Sequence, residues 1–192
     1  MHGSGEQDLT KILAFYTSVS GLCPHYVVDY AGKIYRIADE GSVAWHCKID
    51  DAEARLYRMG YGEWSQWIWN DGNPKHLGQE FPGYRNWRDT WFMRGLQSPL
   101  DLITQDKPNY RSIGIELQSP TDDMKVAGIY TIAQYGALAE LIKGISVRQR
   151  IPIGRERVLT HSDCSPMRRC TNRGPYDPGL AFDFNRLWDL LS

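Results

Sequence analysis

Apolar and polar positions divide the chain into short segments of two different periods. Residues 6–18, EQDLTKILAFYTS, carry Leu9, Ile12, Leu13 and Tyr16 at i, i+3, i+4 and i+7, the spacing of an amphipathic helix. HYVVDYAGKIYRIAD, from His25 to Asp39, reads as two β-rich runs around a glycine-containing turn at Ala31-Gly32 and predicts a hairpin. SIGIELQ alternates with period two. Ile113, Ile115 and Leu117 share one face and Ser112, Gly114 and Glu116 the other, which turns Glu116 away from the apolar layer. Helical spacing returns in TIAQYGALAELIKGI, with Ile132, Tyr135, Leu138, Ala139 and Ile142 on one stripe and Thr131 as N-cap. After Pro152, RVLTH predicts a short strand ending at His161, and FDFNRLWDLL predicts a closing helix that packs Phe184, Leu187 and Leu191. The order helix, hairpin, strand, helix, strand, loop, helix predicts one α/β domain over residues 1–192, a mixed central β-sheet flanked by helices.

Between Cys47 and Arg111 neither period persists. Five of the seven tryptophans (Trp64, Trp67, Trp69, Trp87, Trp91) lie there among Gly, Asn, Pro and Tyr, so the stretch from about 50 to 110 reads as an insertion into the domain. Tryptophan faces can stack on sugar rings, but an insertion of this size must also bury something to order itself, and Trp supplies large area for that. Both uses stay open.

Composition narrows the partners. At 192 residues and 42% hydrophobic content the chain is sized for one cored domain. A net charge of −1, with no run of like charges, argues against nucleic acid and membrane surfaces. No stretch approaches the roughly 18 apolar residues of a membrane span, and the residues after Met1 do not read as a leader, which leaves the compartment open. A monomer is the default expectation. Of the four cysteines, Cys164 and Cys170 are close enough in sequence to bridge, and none has the CxxC spacing of a zinc knuckle.

Candidate chemistry gathers near the C-terminal end. Two histidines with a carboxylate or thiolate, and one position left for water, make a catalytic zinc site. His161 and Asp177 are candidates for two such ligands, although DPG by itself is also a common turn. His25, inside the hairpin, reads as a hydrogen-bonded core residue in preference to a ligand.

Six ordered motifs then fall into one pattern: His2 ahead of a helix, PHYVVDYAGKIYRIADE, VAWHCK, SIGIELQSP, LTHSD and DPGLAFDF. This succession resembles the type 2 N-acetylmuramoyl-L-alanine amidases, whose pattern runs through a HYVID..G.IYQLV hairpin, AWHAG, SIGIE, GHSDI and DPG. The resemblance implies a zinc enzyme that hydrolyses the amide between N-acetylmuramic acid and the L-alanine of the peptidoglycan stem peptide. It implies His2, His161 and Asp177 as the Zn2+ ligands, with Glu116 as general base. Trp45 and His46 would lie beside the groove for peptidoglycan or muropeptide fragments, with a packed structural role for His46 equally open. The family's cation two residues before the last ligand is replaced by Pro175, and Arg173 is the nearest group able to serve the oxyanion. Cys170 is an alternative to Asp177 as third ligand. The family's apolar strand before the first histidine would fall upstream of Met1, which suggests a start further upstream and a His2 prone to fray. The rival readings are a recognition module that binds peptidoglycan without cleaving it, and an interaction protein docking through the tryptophans.

Overall fold

The computed structural model describes residues 1–18, 22–46, 109, 112–119, 130–154, 157–161, 170–171, 174–175, 178 and 182–192. Four strands, His2–Gly3 (β1), Tyr26–Val28 (β2), Ile34–Arg36 (β3) and Ile115–Leu117 (β4), form one mixed sheet in the order β1-β4-β2-β3. β4 runs parallel to both of its neighbours, and β2 and β3 make the expected antiparallel hairpin. Among the described residues, three helices accompany the sheet: α1 (Leu9–Thr17), α2 (Ile132–Gln149) and α3 (Phe184–Leu191). No helix among the described residues is long and apolar enough to cross a membrane.

The core lies on one face of the sheet. Met1, Tyr26, Val28, Ile115 and Leu117 pack there against Tyr135, Leu138 and Ile142 of α2 and Leu187 and Leu191 of α3. Because strand side chains alternate, Glu116 and Val27 point to the other face. Glu116 is nonetheless buried, so its face is covered and not solvated.

Local chemistry sets the element ends. Asp8 caps α1 by accepting from the Thr10 and Lys11 amides. Of the predicted stripe, Ile12 is buried and Leu9, Leu13 and Tyr16 are half-buried. Gly32 turns the hairpin at φ 81°, and a Cβ there would lie 2.7 Å from the Ala133 carbonyl oxygen, so glycine meets both the backbone and the packing requirement. Thr131 caps α2 as expected, in a reciprocal pair with Gln134, and its hydroxyl also donates to the Tyr30 carbonyl at 2.6 Å.

Five sequence expectations need correction. Ile132 is 77% exposed; the first turn of α2 instead faces the sheet through Gln134 and Tyr135 and the Gly32 turn through Ala133. Only Ile115–Leu117 of SIGIELQ is paired as a strand. RVLTH forms no regular strand either. The Met1 amino group donates to the Leu159 carbonyl at 2.7 Å and the His161 amide to the Met1 carbonyl at 2.9 Å, which is a single parallel bridge beside β1. This bridge, with Met1 and His2 both buried, holds the expected frayed end in place. Lastly, the loop after His161 contains a small antiparallel ladder, Cys170–Thr171 (β5) with Gly174–Pro175 (β6), Cys170 opposite Pro175.

Candidate functional site

Parallel pairing puts His2 directly opposite Glu116, with Val27 on the far side of β4 in the same row. Residues opposite one another in a parallel pair share a face, at a strand spacing of about 4.8 Å. The face away from the hydrophobic core thus carries an imidazole beside a carboxylate, each 5% exposed. His161 enters through the bridge to Met1, which brings its ring against that of His2. The two Nδ1 atoms lie 2.8 Å apart and both rings are buried.

The third imidazole is His46, at the end of the segment that follows β3. His25 organises that segment. Its backbone carbonyl receives the Ile37 and Ala38 amides, its Nδ1 accepts from the Gly114 amide at 2.9 Å, and its Nε2 donates to the Ser42 carbonyl at 3.1 Å. With both nitrogens committed to backbone, His25 is a staple between β4 and the segment, as its position in the hairpin predicts. Glu40 ties the other side of the segment to α2, accepting from Arg148 at 2.5 Å, Gln149 at 2.6 Å and the Tyr26 hydroxyl at 2.6 Å. The Arg148 guanidinium, with help from the other two donors, holds the Glu40 carboxyl down to about 2.

So positioned, the His46 ring lies with Nδ1 3.1 Å from His2 Nε2 and Nε2 3.1 Å from the Ser112 hydroxyl, while its amide donates to Asn109 Oδ1. Burial, and then the positive charge of neighbouring histidines and the amino terminus, push the His46 imidazole down to about 2. Both effects favour the neutral ring. Its seat is Gly114: a Cβ there would come within 2.4 Å of the His46 ring. Gly114, Ser112 and Asn109 were not singled out by sequence reasoning. The glycine inside a strand pattern was the available signal, since such a glycine often marks close approach of another group.

His2, His46 and His161 border a cavity of about 390 Å³ that extends past Ile145 and Ile153 to Glu40, Gln149 and Arg157. Trp45, expected beside the substrate, is 45% exposed and precedes the cavity-lining His46 in sequence. Among the described residues no group of three or more His, Cys, Asp or Glu side chains is arranged to hold a metal. Asp177, Arg173, Cys164 and the tryptophans of the insertion lie outside the described residues, as does the side chain of Cys170. The neighbour of Asp177 is placed: the Pro178 carbonyl accepts from the buried Tyr130 hydroxyl at 2.6 Å.

The family model of the N-acetylmuramoyl-L-alanine amidases matches residues 1–179. The chain belongs to that family. No curated protein and no solved structure matches it. As an amidase of this family the chain is a peptidoglycan hydrolase, and the buried His2, His161 and Glu116 face falls within the matched residues.

The donor chemistry of that face fits zinc in part. Two imidazole nitrogens converge, and a tetrahedral ion about 2.0–2.1 Å from each needs about 3.3 Å between them, so the pair must open by about half an ångström. A carboxylate one strand away suits a base that is not itself a ligand.

Proposed function

We propose that this amidase hydrolyses the bond between the lactyl group of N-acetylmuramic acid and the L-alanine of the stem peptide, with zinc held by His2, His161 and Asp177. The observation that carries the proposal is the 2.8 Å approach of two buried Nδ1 atoms beside the buried carboxyl of Glu116. Zinc, when bound, supplies the Lewis acidity that polarises the amide carbonyl and lowers the pKa of water. Glu116 takes the proton of the attacking water and returns it to the amine of the departing L-alanine. Burial suits this role, because a carboxyl screened from solvent exchanges its proton with the reactants and not with bulk water. Arg173 is the proposed donor to the developing oxyanion, and Trp45 the first contact for the glycan.

The test is the zinc-to-protein ratio of chain purified without chelators, with His161→Ala as control, followed by digestion of purified muropeptides. A ratio near one that collapses in the control, with free stem peptide released, is the expected result. A ratio near zero in folded protein that still sediments with cell walls would replace the enzyme by a recognition module.

A further inference from the structure

Four side chains form a continuous line in which the amidase reading uses only the last two. Ser112 Oγ meets His46 Nε2 at 3.1 Å, His46 Nδ1 meets His2 Nε2 at 3.1 Å, and His2 Nδ1 meets His161 Nδ1 at 2.8 Å. A neutral imidazole has one N–H and one lone pair, so each proton placed on this line dictates the next. Two arrangements satisfy all three contacts. In the first, the Ser112 hydroxyl donates, every proton points toward His161, and His2 carries its proton on Nδ1. In the second, His161 Nδ1–H donates to His2 Nδ1, His2 Nε2–H donates to His46 Nδ1, and His46 Nε2–H donates to Ser112. Only the second leaves His2 a lone pair on the nitrogen that faces His161.

We propose that His46, seated on Gly114 and backed by Ser112, is a positioning residue that holds His2 as the Nε2–H tautomer, with its Nδ1 lone pair directed at the point it shares with His161. The proposal rests on the reading of His2 and His161 as a cation-binding pair. Metal-binding histidines are commonly oriented by a hydrogen bond from the nitrogen that does not bind the metal, and its partner is usually a carboxylate, a carbonyl or water. In this chain the partner is a third imidazole. Its ring occupies the space a side chain at position 114 would need, and its far nitrogen meets the serine hydroxyl. Cation binding then requires one proton to leave the line, that on His161 Nδ1.

The experiment compares the wild-type chain with His46→Leu, which removes the acceptor, His46→Asn, which returns an oxygen near the place of Nδ1, and Ser112→Ala, a change at an exposed position. Two quantities are read: the side-chain 15N signature of His2 in the metal-free protein, and zinc affinity by chelator competition. We expect His2 protonated on Nε2 in the wild type and a mixed tautomer in His46→Leu. Zinc affinity of that variant should fall by about 10- to 100-fold. His46→Asn should recover most of both properties, and Ser112→Ala should shift both slightly in the direction of the leucine variant. A wild-type His2 protonated on Nδ1 overturns the proposal, as does a His46→Leu or Ser112→Ala series with unchanged tautomer and affinity. If the wild type takes up no zinc while the His2 signature still responds to His46, the positioning role stands and the zinc amidase reading falls.

Discussion

Two residues of SIGIELQ divide the work of the site. In the proposed mechanism Glu116 moves a proton, and Gly114 lets a ring approach. Replacing Glu116 by Gln keeps the shape and removes the base, so turnover of a muropeptide substrate should drop by about 10²- to 10⁴-fold, the usual contribution of general acid–base catalysis. Zinc content should stay that of the wild type, because a base is not a ligand, and a variant that lost its metal would reassign Glu116 to the coordination sphere. Gly114→Ala acts differently. Its new methyl would sit within 2.4 Å of the His46 ring, so the ring must leave its seat. We expect about 1–3 kcal/mol lost in urea unfolding from the overpacking, together with weaker zinc binding. Of the two roles, the alternation of SIGIELQ foretells which way Glu116 faces. That the face is covered, and by what, depends on neighbours distant in sequence.

Among the elements, α2 carries the fold's most legible signals, and they are local ones. Thr131 and Gln134 cap its first turn reciprocally, and Tyr135, Leu138, Ala139 and Ile142 are buried as their spacing predicts. Thr131→Ala removes the cap and the link to Tyr30 together, so thermal unfolding should show a loss of about 1–2 kcal/mol, at the upper end for N-caps. A cost near zero would mean that the helix start is held by packing alone. The burial of Gln134 could not be read from the stripe. Its side-chain amide donates to the Val28 and Gln118 carbonyls at 3.3 and 2.9 Å, groups that only the assembled sheet brings near the helix. Strand β1 was equally hidden. Two residues have no period, and His2–Gly3 becomes a strand because β4 offers it a parallel edge.

At the scale of the whole molecule, the site depends on one ionic clamp. Glu40, with a side chain only 8% exposed, joins the segment that delivers His46 to the end of α2 through Arg148 and Gln149. Its carboxyl is held down to about 2 in the folded protein, against 4.5 as the ordinary value. A carboxyl depressed in this way stabilises the fold fully above pH 4.5, and the contribution is lost as pH falls from there toward 2. Urea midpoints of the wild type should therefore fall through that window, and those of Glu40→Gln should fall less steeply while starting lower at neutral pH. Parallel pH profiles for the two proteins would show that the acid limb belongs to other groups. Glu40 and Gln149 also line the cavity beside the histidines, so under the proposed mechanism loss of the clamp should raise KM before it lowers kcat.

By itself the sequence determined what local geometry and residue order can express. The apolar periods produce the helices and the hairpin, Gly32 its turn, Asp8 and Thr131 their caps, and the ordered motifs from His2 to DPG mark the amidase family. Only the tertiary structure decided that His2 lies opposite Glu116, that His161 reaches it through a bridge to Met1 and not a full strand, and that His46 closes on His2 over Gly114. The reason is physical. A period reports which way a side chain faces within its own element, whereas contacts between residues 2, 46, 116 and 161 depend on strand pairing and on burial of a second sheet face, and neither leaves a repeating trace along the chain.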